Sequence, residues 1–408
     1  MALATTLGDQ SPPRRAARTL SPADGSPSAF AWVEVFDTIE SARGSWVEIG
    51  KIAPTSPYQH FEFVRLWLET IGVARRVTPM IVVAHDEAGD ITALLPLGAL
   101  SYGRLRFAAF LGGKDANYNM GLFRPGIAWS PREIAALLAT AARLVAPRVD
   151  TFLFVNQPRD WQGTPNPMAA VSGQSSPGFA YKSVLPADFT IWRDAHASKK
   201  AQRKLRYKAK RLEALGPLAY RRVADPSEIE RVLAALHAQK SARTRSRGIE
   251  NAYEEAEARE FLRGLALSGV AEGAARLELH ALFVADRIVA TFGGLVAGDR
   301  LSGLFLSFDS DPTIARSSPG ELIVHAVVRD AIMRGFNAFD LGAGDARYKD
   351  EACEAKEELF DNAFAITLLG RVAAFAFIAK QRLKRRIRGS PRLLALFVRL
   401  EPKIRKTR

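Results

Sequence analysis

The sequence is almost free of cysteine. Cys353 is the one cysteine among 408 residues, so an intramolecular disulfide and a cysteine-based zinc site are both excluded. A protein without disulfides is typical of a reducing compartment, and we expect a cytoplasmic location. Cys353 lies among Glu351, Glu354 and Glu357, so it lacks the positive neighbours that lower the pKa of a nucleophilic thiol.

Metal-binding patterns and long apolar runs are also missing. The histidines are scattered, with no His-x-x-His or Glu-x-x-His pair, and we expect no metal site. Residues 365–379 form a nearly apolar run, but a bilayer-spanning helix needs about 20 residues. Residues 1–28 are rich in Pro, Ser, Ala and Gly and contain no apolar segment of the secretory type, which predicts a disordered arm.

Composition and charge describe a globular chain with two basic regions. The apolar fraction of 48% and the charged fraction of 25% are ordinary for a soluble protein with a sizeable core, and the length favours two or three domains. The net charge of +14 is concentrated in two places. Residues 365–408 hold 13 Lys/Arg against Glu401, and residues 193–222 hold 11 against Asp194 and Glu213. This distribution indicates two local functions and disfavours a general nucleic-acid coat.

The same order of elements occurs twice along the chain. In the first half, strand-like runs precede a helix at Pro131–Val145 and the strand VDTFLFVNQ. In the second half, similar runs precede a helix at Pro319–Met333 and the strand NAFDLGAG. Residues 163–178 read as a Gly/Pro/Ser-rich connector, and residues 194–215 as one long basic helix. The pattern predicts a duplicated α+β unit.

Four segments of the second half resemble a known family. They are the basic run from Ser198 to Gly216, the hairpin LFVADRIVATFGGL, the loop Arg316–Gly320, and the string from Phe339 to Lys349. In this order they resemble the CelD/BcsL-type GNAT family of cellulose and exopolysaccharide biosynthesis, which is related to the Fem-type peptidyltransferases. The resemblance covers roughly residues 190–350, about two-fifths of the chain.

The resemblance implies an α+β (α/β) fold of tandem GNAT-like (acyl-CoA N-acyltransferase) domains. We expect an N-terminal GNAT-like domain at residues 29–185, a C-terminal GNAT acyltransferase domain at 186–364, and a basic amphipathic tail at 365–408. The implied donor is acetyl-CoA or another acyl-CoA, with no metal. The implied acceptor is an amine or hydroxyl of a cell-surface polysaccharide or its precursor.

The loop before the Pro319 helix is the predicted cofactor-binding segment. Helix N-terminal amides and the helix dipole favour a pyrophosphate there, and Arg316, Ser317, Ser318 and Gly320 are the candidate residues. The loop lacks the second glycine of the usual GNAT phosphate loop, because Leu322 stands in its place. An ordinary helix start with Pro at its first position explains the segment equally well.

The string after the strand NAFDLGAG supplies the candidate catalytic residues. Asp340 or Asp345 would accept the proton of the acceptor, Tyr348 would donate one to the leaving thiolate, and Lys349 would stabilise negative charge. A comparable lysine in the Fem relatives favours Lys349. The alternative is a Gly-rich turn with solvated charges.

The basic helix supplies the candidate substrate-binding residues. Lys199, Arg203 and Arg206 share one face of the helix, near which phosphate-bearing substrates lie in Fem relatives. The alternative is a solvated face.

Three functions remain open. The first is acyl transfer from acyl-CoA, the second is a Fem-like transfer from aminoacyl-tRNA, and the third is a catalytically silent accessory protein of a membrane polysaccharide synthase. Nucleic acid is an expected partner only under the second function. The sequence has no RNA-binding signature with interleaved aromatics, which disfavours that function. The basic tail predicts attraction to anionic lipid, and hence a peripheral place at the inner face of the plasma membrane. The alternative is a helix that packs on the domain and has a solvated basic end.

Overall fold

The computed structural model describes residues 15–18, 28–245, 254–273, 275–344 and 347–390. Helices flank one large mixed sheet. Its strands, together with the separate pair β8 and β9, are β1 (Arg15–Arg18), β2 (Trp32–Phe36), β3 (Thr78–His85), β4 (Ile91–Tyr102), β5 (Leu105–Phe110), β6 (Leu122–Phe123), β7 (Thr151–Pro158), β8 (Asp160–Trp161), β9 (Thr164–Pro165), β10 (Gly173–Val184), β11 (Leu218–Val223), β12 (Leu277–Val284), β13 (Arg287–Ala297), β14 (Arg300–Phe308), β15 (Ala338–Ala343) and β16 (Ala355–Ala365).

The helices lie between groups of these strands along the chain. They are α1 (Arg43–Gly50), α2 (Phe61–Trp67), α3 (Pro131–Leu144), α4 (Phe189–His196), α5 (Lys199–Glu213), α6 (Pro226–Arg245), α7 (Ala256–Leu267), α8 (Pro312–Ala315), α9 (Pro319–Met333), α10 (Arg347–Ala352) and α11 (Leu368–Gly389).

The duplication predicted from the sequence is present in the fold. In the first half, an antiparallel meander β2–β3–β4–β5 is followed by α3 and by β7, which pairs parallel to β5. In the second half, the meander β11–β12–β13–β14 is followed by α9 and by β15, which pairs parallel to β14. Two helices separate the first and second strands of each meander. The tandem α+β architecture is therefore confirmed.

The two halves share one sheet because each contributes a strand beside the last strand of the other. β10 follows the first half in sequence but pairs antiparallel with β15. β16 follows the second half but pairs antiparallel with β7. β10 and β16 also pair with each other at the centre of the sheet. A boundary near residue 185 thus falls inside a continuous sheet, and the domain limits remain a prediction.

Buried apolar side chains form three clusters. One lies under α3 and serves the first half, and one lies under α4, α5 and α9 and serves the second. The third joins both halves through α1, α2, α6 and α7, where Phe63 meets Phe261 edge to face with ring centroids 5.2 Å apart. Burial of large aromatic rings at this junction stabilises the halves as one body.

Four local expectations are corrected by the structure. Within the arm predicted at residues 1–28, Arg15–Arg18 form β1 along β2. The supposed connector at 163–178 contains β9 and the start of β10. The basic helix is two helices, because the Ser198 side chain accepts a hydrogen bond from the amide of Ala201 and starts α5 anew. The tail begins as helix α11 packed on the sheet, whereas residues 391–408 lie outside the described part.

Candidate active site

A cleft opens where β14 and β15 separate. Their parallel pairing runs from Arg300 opposite Ala338 to Ser302 opposite Asp340, and it stops there. Beyond that point a cavity of about 370 Å³ opens. It is lined by Asn117, Lys240, Arg243, Thr244, Phe292, Gly303, Leu304, Phe305, Leu306, Phe308, Leu341, Ala343, Tyr348 and Lys349. Separated strand ends leave backbone groups and side chains turned toward a ligand, as is common for ligand sites in α/β folds.

A buried ion pair lies where the pairing of β14 with β15 ends. The fully buried carboxylate of Asp340 accepts from Arg300 Nε at 2.7 Å, from Ser302 Oγ at 2.5 Å and from the amide of Gly342 at 2.9 Å. Arg300 also donates to Tyr118 Oη at 2.8 Å and to Glu357 at 3.2 Å. The predicted catalytic residue Asp340 therefore lies at the last paired position before the strands separate, is not among the residues that line the cavity, and has both carboxylate oxygens engaged.

The first half sends one side chain into the cleft. Asn117 Nδ2 donates to the carbonyl of Gly303 on β14 at 2.9 Å and to Tyr58 Oη at 2.6 Å. Its Oδ1 accepts from the amide of Ala343 on β15 at 3.3 Å. Asn117 thus bridges the two strands at the point where they separate. The sequence did not reveal it, because nothing near Asn117 in the chain indicates contacts with residues 186 and 226 positions away.

The corresponding split in the first half is filled by the chain itself. β5 and β7 pair only at Phe107 with Thr151 and at Ala108 with Phe152. Beyond this pairing, Asn119 Nδ2 donates to the carbonyls of Gly113 and Val155 at 3.1 and 3.2 Å. The residues after β5 therefore fill the space between β5 and β7. The equivalent space between β14 and β15 is the open cavity.

Lys349 and Tyr348 stand on α10 at the wall of the cavity. Lys349 is buried, and its Nζ donates to the carbonyls of Ala343 at 2.9 Å and Gly342 at 3.3 Å. Burial raises the pKa of Tyr348 to about 12, although Arg243 opposes the shift, so the phenol stays protonated at neutral pH. The structure brings these two predicted residues together. Asp345 lies outside the described residues.

Two cations of α6 face the same cavity and were missed from the sequence. Lys240 and Arg243 are three residues apart and therefore share a helix face. Burial lowers the pKa of Lys240 to about 8, with further lowering by the nearby Arg243 and Lys349. The three-residue spacing of these two cations was the only sequence feature that could have indicated them. Such spacing is too common on helices to identify a binding site.

The predicted phosphate loop already uses most of its amides. Those of Ser317 and Ser318 donate to the carbonyls of Ile314 and Ala315, and those of Glu321 and Leu322 donate to the carbonyl of Ser318. Pro319 has no N–H. The loop therefore offers little of the amide cradle that a pyrophosphate requires.

The side chains of this loop are divided between the surface and the core. Arg316 is exposed, whereas Ser317 and Gly320 are buried. A β-carbon on Gly320 would come 3.0 Å from Phe308, which lines the cavity. Gly320 thus allows α9 to pack against the cavity wall.

The basic face of α5 lies apart from the cleft. Lys199, Arg203 and Arg206 are exposed. Arg206 lines a different groove, of about 540 Å³, with Phe189, Tyr220 and Arg329 among its walls. An ion pair between Lys208 and Glu321 holds α5 against the start of α9. None of the three predicted residues lines the cavity between β14 and β15.

Two further points concern the thiol of Cys353 and metal binding. Cys353 is buried, and burial raises the pKa of its thiol, which disfavours a nucleophilic thiolate. Within the part of the chain that the structure describes, no group of three His, Cys, Asp or Glu residues is arranged to hold a metal ion.

Comparisons with known proteins agree with this architecture. The sequence model described as the acetyltransferase (GNAT) domain matches residues 199–350. The fold resembles FemX, with a TM-score of 0.56 at 10% identity over 81% of this chain and 97% of that one. It also resembles the C-terminal domain (DUF2156) of a putative lysylphosphatidylglycerol synthetase from Agrobacterium fabrum, with a TM-score of 0.50 at 13% identity over 84% and 96% of the two chains.

At these identities the structural likenesses show the fold alone. A search of curated protein sequences finds no match. The matched segment contains α6, β13, β14, β15 and the start of α10, which carry all the lining residues of the cavity except Asn117. Residues 199–350 therefore match the acetyltransferase (GNAT) domain model, and the chain as a whole has the fold of two such α+β units in tandem.

Proposed function

We propose that the protein transfers an acyl group from an acyl-CoA, in the first instance acetyl-CoA, to an amine or hydroxyl of a cell-surface polysaccharide or its precursor. The reaction would take place between β14 and β15. The observation that carries the proposal is the cavity at the strand split, with Lys349, Lys240 and Arg243 on its walls. The acceptor class rests on the resemblance of the motifs at residues 190–350.

In the proposed step, the acceptor atom forms a bond to the acyl carbonyl carbon, and the carbon–sulfur bond then breaks. Negative charge develops on the carbonyl oxygen, and the Lys349 ammonium at the cavity wall would stabilise it. The thiolate leaves as an anion, and the protonated phenol of Tyr348 would donate a proton to it.

Lys240 is the group we propose as the acceptor of the proton from the attacking amine or hydroxyl. With a pKa of about 8, a fraction of its side chain is the neutral amine near neutral pH, as a general base requires. Asp340 would instead be a positioning residue, because its buried carboxylate accepts from Arg300, Ser302 and Gly342 next to the strand split.

A second donor calls for the same test, since two observations favour it. The exposed cations of α5 form a surface suited to a polyanion, and the amides that a CoA pyrophosphate would need at α9 are largely used. Both features suit a Fem-like transfer from aminoacyl-tRNA. In that reaction a carbon–oxygen ester bond would break in place of the thioester.

The proposed location is the cytoplasm, at the inner face of the plasma membrane. Support comes from the single cysteine and from the positive charge gathered at residues 365–408. No helix among the described residues is long and apolar enough to cross a bilayer.

The deciding experiment is calorimetric titration of the full-length protein with acetyl-CoA and, separately, with aminoacyl-tRNA. Binding of acetyl-CoA that weakens in Lys349→Ala, with no tRNA binding, supports the first donor. The opposite result, with tRNA binding lost in Lys199→Ala, establishes the second. Absence of both would leave the protein as a silent accessory of a polysaccharide synthase and refute the transferase proposal.

A further inference from the structure

Helix α11 is fixed to the protein along one side. Gly370 packs so tightly that a β-carbon there would stand 1.8 Å from the carbonyl oxygen of Asp150. Farther along, the buried Gln381 donates from Nε2 to Asp361 at 2.8 Å, and Arg382 donates to the Gln174 side chain at 2.9 Å. The helix therefore lies across β7, β16 and β10 as part of the folded protein.

The opposite side of α11 is apolar and exposed. Leu368 and Phe375 are 78% and 76% exposed, and Val372 and Leu383 are exposed between and after them. With the exposed Ala379, these residues follow one another at intervals of three or four and form one stripe along the helix. Packing on the sheet thus explains the inner side of α11. Among the described residues it leaves an uncovered apolar face of about 23 Å in length, from Leu368 to Leu383.

The charges of α11 all have one sign. The helix contains seven basic residues and no acidic one, namely Arg371, Lys380, Arg382, Lys384, Arg385, Arg386 and Arg388. A second copy of the chain placed on this face would bring like charges together, which disfavours self-association. A surface that is apolar inside and anionic at its boundary complements both the stripe and the cations.

We propose that α11 lies flat in the interface of an anionic bilayer, with Leu368, Val372, Phe375 and Leu383 inserted among the acyl chains. The Lys and Arg side chains would then meet the lipid phosphates. This goes beyond attraction of a charged tail, because insertion of the stripe gives a contribution to binding that salt does not screen.

Docking through α11 would also fix how the cleft is oriented relative to the membrane. Arg388, near the end of α11, and Gly344, just after β15, both lie within 4.0 Å of the point where a β-carbon on Gly178 would stand. The basic end of the docked helix thus adjoins the turn that follows β15, the strand that lines the cleft. Docking through α11 would bring this end of β15 next to the headgroups.

The test is co-sedimentation of the full-length protein with phosphatidylcholine vesicles, with and without phosphatidylglycerol. The informative variant is Val372→Ser with Phe375→Ser, and the matched control is Val73→Ser with Tyr102→Ser, which removes apolar side chains of similar exposure from the first half. Thermal melts of each protein exclude unfolding, and light scattering without vesicles reports self-association.

We expect the α11 variant to bind anionic vesicles at least tenfold more weakly than the wild type, and the control to bind normally. High salt should weaken wild-type binding but leave it above that of the α11 variant. Equal vesicle binding by the α11 variant and the wild type would overturn the proposal. So would a wild-type dimer that the α11 variant converts to monomer, because the stripe would then be a contact between copies.

Discussion

Asn117 occupies the space in which a side chain on Gly342 would stand. A β-carbon built on Gly342 comes within 2.1 Å of Asn117 Nδ2, and Gly342 adopts a φ of +66°. The residue on β15 must therefore be glycine for two reasons, its backbone conformation and the wedge that arrives from the first half. Through this contact the first half helps to hold the cleft of the second half open.

Gly342→Ala should lower the free energy of unfolding by at least about 2 kcal/mol, since it adds both a strained φ and a collision. The matched control is Gly335→Ala, which has a φ of +79° but open space around its α-carbon and should cost only about 1 kcal/mol. Urea unfolding measures both values. Asn117→Ala combined with Gly342→Ala should recover part of the loss, and a Gly342→Ala protein no less stable than the control would show that the wedge is unimportant.

The sequence predicted local elements better than long-range ones. The helix predicted at Pro131–Val145 is observed as α3 at Pro131–Leu144, and in the structure Ser130 and Glu133 form a capping box at its start. β10 and β16 were missed, since each is defined by pairing with a strand of the other half and not by a strong alternating pattern. Periodicity reveals the exposed or buried side of an element but not its distant partner.

The residues of the candidate site show the same difference between local and long-range prediction. Tyr348 and Lys349 follow β15 directly in the chain, so the end of a buried strand indicated them. Lys240 and Asn117 reach the cavity from α6 and from the first half, through packing that no local motif encodes. Asp340 was placed on the correct strand, but the burial that pairs it with Arg300 depends on the whole fold.

Asp340→Asn should be strongly destabilising, because it removes the fully buried carboxylate and leaves only the partly exposed Glu357 to balance the buried guanidinium of Arg300. Arg300 is 2% exposed and Asp340 is fully buried, and breaking such a pair costs about 3–5 kcal/mol. Asp330→Asn, which loosens the partly exposed pair between Arg334 and Asp330, should cost under about 1 kcal/mol. Chemical denaturation compares the two, and similar losses would contradict a structural role for the buried pair.

Lys349→Ala should reduce kcat by about 10²- to 10³-fold, the usual cost of losing one group that stabilises a developing oxyanion. Lys199→Ala and Arg203→Ala alter exposed side chains of α5 and should leave kcat within about twofold of the wild type. Release of free thiol from acetyl-CoA in the presence of acceptor reports the rate. A larger loss in the α5 variants than in Lys349→Ala would move the reaction to the basic helix.

Lys240→Met should stabilise the protein at pH 7 while it removes activity. The pKa of Lys240 is lowered from the ordinary lysine value to about 8, so below pH 8 the folded protein carries the cost of a desolvated cation near Arg243 and Lys349. Between about pH 8 and the ordinary lysine pKa, the unfolded chain binds more protons than the folded one, and wild-type stability rises with pH. The advantage of Lys240→Met, on the order of 2 kcal/mol at pH 7, should therefore shrink across that window.

Activity should show the complementary dependence. If the neutral amine of Lys240 accepts the proton of the acceptor, the wild-type kcat/KM increases with pH and reaches a plateau above about 8. Lys240→Met should lose about 10²- to 10⁴-fold in rate and the rise near pH 8 with it. Lys240→Arg, which keeps the charge but cannot deprotonate, should be equally inactive. If Lys240→Arg retains the wild-type rate and pH profile, Lys240 contributes only positive charge to the cavity, and the base is another group.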